Sequence, residues 1–240
     1  MHQKKQRKRL NLMEPSWNEV IALFGGTFDP PHEGHYQAVD DLLKQLAVAK
    51  VIVLPCSTPA LKTCSTSAEH RIKMTQLNFS KLTESAPVEV SSFEVDHVQK
   101  NAPSYTYETL NKFSHYHQVP HHKLAFVIGT DQFENLPRWS RFPEVLKLCH
   151  WVVLKRKPNG EQTAHKVLSE WSQSGLASAQ TSDLWHLSHG QTTLKLLSTD
   201  APDLCSKSIR IELEKNQELK KNIIKTDVYD YLKKHHLYGT

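Results

Sequence analysis

A short apolar run, Val20-Ile21-Ala22-Leu23-Phe24, stops at the pair Gly25-Gly26. A helix-like segment from Tyr36 to Leu46 follows, and then a second apolar run, Lys50-Val51-Ile52-Val53-Leu54-Pro55. Runs of this length, rich in β-favouring residues and closed by turn residues, read as strands buried on both faces. Strand, helix and strand within about 35 residues make a βαβ unit, which requires a parallel sheet and a right-handed crossover.

The alternation continues. The polar stretch Cys56 to Ser67 reads as a loop, and a helix is predicted from Ser67 to about Leu82, with Ile72, Leu77 and Phe79 among its apolar positions. Val88-Glu89-Val90 begins a third strand, which leads into a polar loop from Asp96 to Pro103. Ser104 suits the N-cap of a helix running toward Tyr116. Leu124-Ala125-Phe126-Val127-Ile128 is a strand ended by Gly129-Thr130-Asp131, and His150-Trp151-Val152-Val153-Leu154 is another, with a helix expected from Phe142 to Leu148 between them. Lys157 to Gly190 is weakly patterned, with one short helix expected near His165 to Trp171. Leu194 to Leu197 reads as a last, shorter strand, and helical patterns cover Ser206 to Leu213 and Asp227 to His236. The pattern predicts a doubly wound α/β domain with five or six mainly parallel strands. Residues 16 to 240 read as that single domain, with a small helical part from about residue 200.

A chain of 240 residues with a hydrophobic fraction of 38% can bury one sizeable core. No apolar run approaches the roughly 20 residues that cross a bilayer, and the N-terminus carries no apolar signal core, so a soluble cytoplasmic protein is expected. Cys56, Cys64, Cys149 and Cys205 show no close pairing, which favours reduced thiols. The formal net charge of +5 is matched by Lys4, Lys5, Arg7, Lys8 and Arg9 alone. Residues 1 to 15 therefore read as a basic, disordered tail, and a nucleic-acid partner is not expected.

The chemistry centres on Gly25-Gly26-Thr27-Phe28-Asp29-Pro30-Pro31-His32-Glu33-Gly34-His35. Adjacent glycines allow a sharp turn and close approach to a bound group, and the N–H groups at a helix start favour anions. His32 and His35 add two imidazoles able to donate hydrogen bonds to negative oxygens. The third glycine of the dinucleotide fingerprint and the Gly-Lys-Ser/Thr ending of the P-loop are both lacking.

This string closely resembles the nucleotide-binding motif of nucleotidyltransferases, and most of all that of the bacterial nicotinate mononucleotide adenylyltransferases. Further landmarks follow in order. Pro59-Ala60-Leu61-Lys62 stands where that family has Pro-Pro-His-Lys, and Arg71 with Met74 fits its next helix. Ser104-Tyr105-Thr106-Tyr107-Glu108-Thr109-Leu110 is similar to its Ser-Tyr-Thr-x-x-Thr-Leu element. Gly129-Thr130-Asp131 with Leu136-Pro137-Arg138-Trp139 is similar to the stretch that holds the pyridine nucleotide. Leu204-Cys205-Ser206-Lys207-Ser208-Ile209-Arg210 stands for Ile-Ser-Ser-Thr-x-Ile-Arg, and Val228-Tyr229 through Leu237-Tyr238 resembles the family's ending.

The resemblance implies a Rossmann-like nucleotidyltransferase fold and a reaction that joins the phosphate of nicotinate mononucleotide to the α-phosphorus of ATP, with loss of pyrophosphate. By resemblance the catalytic residues are His35, donating to the α-phosphate, His32, holding the phosphates, and Arg210, gripping the β- and γ-phosphates. Gly25, Gly26, Thr27, Phe28, Lys62, Ser206 and Ile209 complete the implied ATP site, with Ser206 also expected to cap its helix. For the mononucleotide, the resemblance implies Thr106 at the nicotinate carboxylate, Trp139 stacked on the pyridine, Asp131 at the ribose and Arg156 near the phosphate. A Mg²⁺ ion arriving with ATP is implied as well.

Leu61 and Lys207 depart from the family pattern. The same chemistry on nicotinamide mononucleotide or another phosphate ester stays open, as does a nucleotide-binding regulator without turnover, and a homo-oligomer is compatible with the sequence. His186-x-x-His189 has no third ligand at fitting spacing, so no protein metal site is expected. Deleting residues 1 to 13 should leave pyrophosphate release from ATP plus mononucleotide unchanged; a large loss of kcat would give the tail a part in the reaction.

Overall fold

A computed structural model of the chain describes residues 14–60, 64–98, 102–215 and 222–240. In chain order its strands are β1 (Ile21–Gly26), β2 (Lys50–Pro55), β3 (Val88–Val90), β4 (Leu124–Gly129), β5 (His150–Arg156), β6 (Ala177–Ala179), β7 (Leu184–Leu187) and β8 (Thr192–Thr199). The helices are α1 (Glu33–Gln45), α2 (Ala68–Ser85), α3 (Phe93–His97), α4 (Thr106–His117), α5 (Thr130–Asn135), α6 (Gly160–Gln173), α7 (Ser206–Glu214) and α8 (Thr226–Lys234). All eight strands join one sheet in the order β3-β2-β1-β4-β5-β8-β7-β6. Pairings from β3 to β8 are parallel, whereas β7 pairs antiparallel with both β8 and β6.

Two-residue alternation decides the layers. Leu23, Ile52, Phe126 and Trp151 turn to one face, against Leu110 of α4, Phe133 of α5 and Leu168 of α6. Ala22, Val53, Val127 and Val152 turn to the other, against Leu42 of α1 and Phe79 of α2. A third cluster joins Met74 of α2 to Ile209 of α7, Val228 and Leu232 of α8, and Tyr238. It fastens the C-terminal helices to the sheet's covering layer.

The position of β1 decides where a ligand fits. Strands β2 and β3 extend the sheet on one side of it, and β4, β5 and β8 on the other. Connections from the carboxyl ends of β1 and β4 thus leave in opposite directions, which opens a crevice at the switch point. The Gly-Gly-to-His stretch sits at that end of β1.

Several expectations change. The sheet has eight strands rather than five or six, because Ala177–Ala179 and Leu184–Leu187 add an antiparallel edge. The last strand is Thr192–Thr199, longer than Leu194 to Leu197, since Thr192, Thr193 and Thr199 are buried as well. The short helix near His165 is a full one, Gly160–Gln173. Phe142 to Leu148 forms only a 3-10 turn, Glu144–Lys147, after Arg141 enters the left-handed region at φ 62° and Pro143 supplies no N–H. Ser104 does not cap α4; Tyr105 holds that position, and the Ser104 hydroxyl accepts instead from the N–H groups of Ser57 and Thr58. Helix α1 starts at Glu33, earlier than Tyr36. Among the described residues no helix is long and apolar enough to cross a membrane.

Candidate functional site

Gly25 and Gly26 do not turn the chain. They continue β1 and pair with Leu54 and Pro55. What they provide is space: a Cβ on Gly25 would lie 2.7 Å from the Phe126 ring, and one on Gly26 would lie 2.7 Å from the Phe28 ring. The turn falls on Phe28, held at φ 52°, a region that bulky residues seldom enter. Burial of its ring stabilises that conformation, with Phe79 at 6.4 Å and His35 at 4.9 Å in edge-on contact.

His32 is the N-cap of α1, and its N–H donates to Nδ1 of His35 at 3.2 Å. The His35 proton is thereby assigned to Nε2, the only ring nitrogen left to carry it in the neutral form. The two rings stack at 3.7 Å. His32 is nearly fully buried, and burial, with the positive charge of Arg156 nearby, pushes its pKa down to about 3. It is neutral at physiological pH, and among the described residues its Nδ1 has no hydrogen-bond partner.

Asp29, also buried, joins the motif to three other parts of the chain. Ser65 donates to Oδ2 from its N–H (3.0 Å) and its hydroxyl (3.1 Å), and the Tyr238 hydroxyl donates to Oδ1 at 2.6 Å. Burial opposes ionisation of this carboxylate, but the donors from Tyr238, Ser65 and Thr66 outweigh it and hold its pKa below the usual range. Arg210 of α7 donates from Nη1 to the Asp29 carbonyl at 2.5 Å and lies 3.7 Å from Oδ2. The Ser206 hydroxyl donates to the Pro30 carbonyl at 2.9 Å rather than capping α7, whose N-cap is Cys205. Ile209 turns its side chain into the third core cluster, away from solvent.

A buried cation complements this buried anion. The guanidinium of Arg71 donates to the carbonyls of Thr27 (2.9 Å), Ser57 (2.7 Å) and Thr66 (3.3 Å), tying the loops after β1 and β2 together. At the start of α1, the Glu33 N–H donates to the Ile223 carbonyl at 2.9 Å, and Lys225 pairs with the Glu33 carboxylate at 3.0 Å.

On the β4 and β5 side, Arg156 pairs with Asp131 at 2.6 Å. Gly129 makes room for them, since a Cβ there would lie 2.7 Å from Asp131 Oδ1 and 2.8 Å from Arg156 Nη2. Asp131 lies in the first turn of α5, which begins directly after β4 where a turn was expected. Trp139 is half-buried, edge-on to Phe126 and Trp151 at 6.3 Å each. Thr106 opens α4, and the next residue, Tyr107, carries the Arg141 guanidinium over its ring at 4.4 Å, which links this helix start to the segment after Trp139.

The structure thus gathers His32, His35, Ser206 and Arg210 around one loop, and Asp131 with Arg156 beside it. Lys62, Leu61 and the basic residues before 14 lie outside the described residues. Sequence reasoning passed over the tie made by Asp29, although it stands inside the motif, and Glu94, a buried carboxylate that accepts from the Thr109 hydroxyl at 2.9 Å. Glu94 has no local signal: it falls between the strand expected from Val88 and the loop expected from Asp96, in a stretch that forms α3 instead. Tyr238 was visible only as part of the C-terminal pattern.

The sequence pattern of the cytidylyltransferase-like family matches residues 23–200. A probable nicotinate-nucleotide adenylyltransferase of Methylacidiphilum infernorum is 39% identical over 139 residues, which span 57% of this chain and 64% of that protein. One of Trichormus variabilis, named the same way, is 31% identical over 91% of this chain and 97% of its own length. Among solved structures, Plasmodium falciparum nicotinic acid mononucleotide adenylyltransferase complexed with NaAD superposes with a TM-score of 0.67 at 18% identity, over 91% of this chain and 97% of that one. That likeness gives the same fold.

Keeping His32 neutral has a consequence for stability. Its folded pKa of about 3 lies below the usual 6.5, so below pH 6.5 the unfolded chain binds the proton that the folded one refuses. Stability contributed by the neutral form is complete above that pH and declines as pH falls toward 3. Urea unfolding at pH 7 and pH 4 should show a loss on the order of 3 kcal/mol from this group, absent in His32→Gln. Equal losses in the two proteins would disprove the assignment.

Proposed function

The chain belongs to the cytidylyltransferase-like family, and we propose that within it this nucleotidyltransferase joins ATP to nicotinate mononucleotide, giving deamido-NAD and pyrophosphate. The observation that carries the mechanism is the hydrogen bond from the His32 N–H to His35 Nδ1. It leaves His35 a donor at Nε2, at the carboxyl end of β1 where the switch-point crevice opens.

In this reading a phosphate oxygen of the mononucleotide attacks the α-phosphorus of ATP. A new P–O bond forms as the bond to the β-phosphate oxygen breaks, and pyrophosphate leaves with the electron pair. The attacking oxygen is already an anion, so no protein base or nucleophile is required; alignment and charge neutralisation are. His35 donates from Nε2 to the α-phosphate as negative charge builds there. Neutral His32 backs that ring by stacking and fixes its tautomer. Arg210, already held against the motif by the Asp29 carbonyl, presents a guanidinium to the β- and γ-phosphates. The ATP site is completed by the backbone from Gly25 to Phe28, by Lys62 and by the α7 start at Ser206 to Ile209.

For the acceptor, Trp139 offers a flat ring to the pyridine, Thr106 a helix start for the carboxylate, and the Arg156–Asp131 pair a cation and an acceptor for phosphate and ribose. The Mg²⁺ that accompanies ATP supplies charge neutralisation on the phosphates. The described side chains do not form a cage for it: Asp29 is taken up by Tyr238, Ser65 and Arg210, and no group of three or more His, Cys, Asp or Glu among the described residues is placed to hold a metal ion. No step here depends on a protein ligand to that ion.

Pyrophosphate release with ATP and each mononucleotide tests the reading. A higher kcat/KM for the acid is expected; equal values or preference for the amide would overturn acid specificity, and ATP binding without pyrophosphate release would favour a regulator. For the mechanism, His35→Ala should lower kcat by a factor on the order of 10² with a smaller change in ATP affinity, because the donor acts most strongly in the transition state. An unchanged kcat would remove His35 from that role.

A further inference from the structure

Tyr238 lies in the 3-10 turn Leu237–Gly239, near the end of the chain, yet it touches both parts that hold Arg210. Its ring is buried in the cluster with Ile209 and Leu213, one residue before and three residues after Arg210 on α7. Its hydroxyl donates at 2.6 Å to Oδ1 of Asp29, the residue whose carbonyl receives the Arg210 guanidinium. Its backbone sits at φ 56°, in the left-handed region that a bulky side chain seldom adopts. An aromatic residue held there, with its only polar atom on a buried carboxylate, is placed by its contacts rather than by its local preference.

We propose that Tyr238 is a positioning residue for the transfer reaction: its ring holds α7 and its hydroxyl occupies the Asp29 carboxylate, so that Arg210 stays available to the ATP phosphates. The inference rests on the function proposed above. It goes beyond it by giving the C-terminal turn a part in ATP recognition.

The physical reason is competition for one guanidinium. Ser65 satisfies Oδ2 of Asp29 through two donors, and Tyr238 satisfies Oδ1. With both oxygens supplied, Arg210 remains 3.7 Å from Oδ2, longer than a hydrogen bond, and donates to the backbone carbonyl instead. Take the Tyr238 hydroxyl away and the buried carboxylate loses its 2.6 Å donor at Oδ1, with only Ser65 and Thr66 left to satisfy the anion. The nearby arginine is the strongest replacement, and a bidentate Arg210–Asp29 pair would form. A guanidinium engaged in that way has to be withdrawn from the carboxylate before it can bind phosphate. Charged or titratable groups facing Asp29 are Arg210 from α7, Tyr238 from the C-terminal turn and Cys64 from the segment before α2.

The experiment uses the full chain and the variant Tyr238→Phe, which keeps the ring in its cluster. Three readouts are compared with the wild type: ATP affinity by calorimetry, KM for ATP against KM for the mononucleotide, and the melting temperature. Expected are an ATP affinity and KM weakened about ten-fold, a mononucleotide KM within about two-fold, and melting within a few degrees, since Arg210 compensates the carboxylate. In Tyr238→Phe/Asp29→Asn the ATP loss should be smaller than the product of the two single losses, because a neutral side chain at 29 no longer captures the arginine. Unchanged ATP affinity in Tyr238→Phe, additive losses in the double variant, or a melting drop of more than about 10 °C with both KM values rising together would overturn the proposal. A wild type that binds ATP but does not transfer it to nicotinate mononucleotide would refute the proposed acceptor alone, and the calorimetric comparison would still decide the role of Tyr238.

Discussion

Burying a carboxylate is unfavourable unless donors replace the water it loses, and Asp29 draws those donors from segments that are far apart in the chain. Ser65 comes from the stretch before α2, Tyr238 from the C-terminal turn, and Arg210 from α7 by way of the neighbouring carbonyl. Satisfying this one anion therefore brings the C-terminal helices onto the first strand's loop. Arg71 does the converse with a buried cation and carbonyl oxygens, joining the ends of β1 and β2. Both charges are paired or hydrogen-bonded throughout, so removing one partner leaves the other stranded, and the loop geometry is held tightly as a result.

The sheet supplies the other half of the organisation. Because strand order reverses between β1 and β4, the carboxyl ends of three neighbouring parallel strands deliver Gly26, Gly129 and Arg156 to the same edge. Each connection meets a separate need: β1 leads to the histidine pair, β4 to Asp131, and β5 to the arginine that pairs with it. Between Arg156 and Leu204 the chain adds β7 and β6 beyond β8, which widen the sheet at its far edge. Lys155, buried at the end of β5, anchors that addition through Glu161 and Asp183 at 2.7 and 3.3 Å. The extension thus builds outward from β5 and β8 and leaves the β1–β4 crevice at the centre of the sheet.

What could be read from the sequence follows from how local each signal is. Strands β1, β2, β4 and β5 are legible because both faces are buried and their apolar runs end in turn residues. Strands β6 and β7 are not, since Trp185 and His186 acquire their extended form from pairing with β8, and Ser178 from pairing with β7 in turn, not from a pattern of their own. The glycine pair was legible as a necessity, but its physical reason was not: the space it leaves is filled by Phe126 and Phe28, one of them about a hundred residues away in sequence. Likewise His32 and His35 stand out in one string of eleven residues, while the Asp29–Tyr238 contact joins residues 209 apart and leaves no mark in either neighbourhood.

Electrostatics also bear on the two imidazoles at the proposed transfer point. A donor aimed there acts on the rate only through the part of its interaction that strengthens between ground state and transition state. A His35 N–H donor at Nε2 stabilises more as charge accumulates on the α-phosphate, because its stabilisation grows with the oxygen's negative charge. Burial keeps His32 neutral, and the stacked neutral ring gives His35 a firm, uncharged backing. In the proposed reaction permanent positive charge stands on Arg210, assigned to the leaving phosphates, and on Arg156, assigned to the acceptor, each near an aspartate. Arg210 is oriented by the Asp29 carbonyl and Arg156 by the Asp131 carboxylate, so neither is a freely solvated cation, and the reorganisation that such a cation would require at the moment of reaction is reduced.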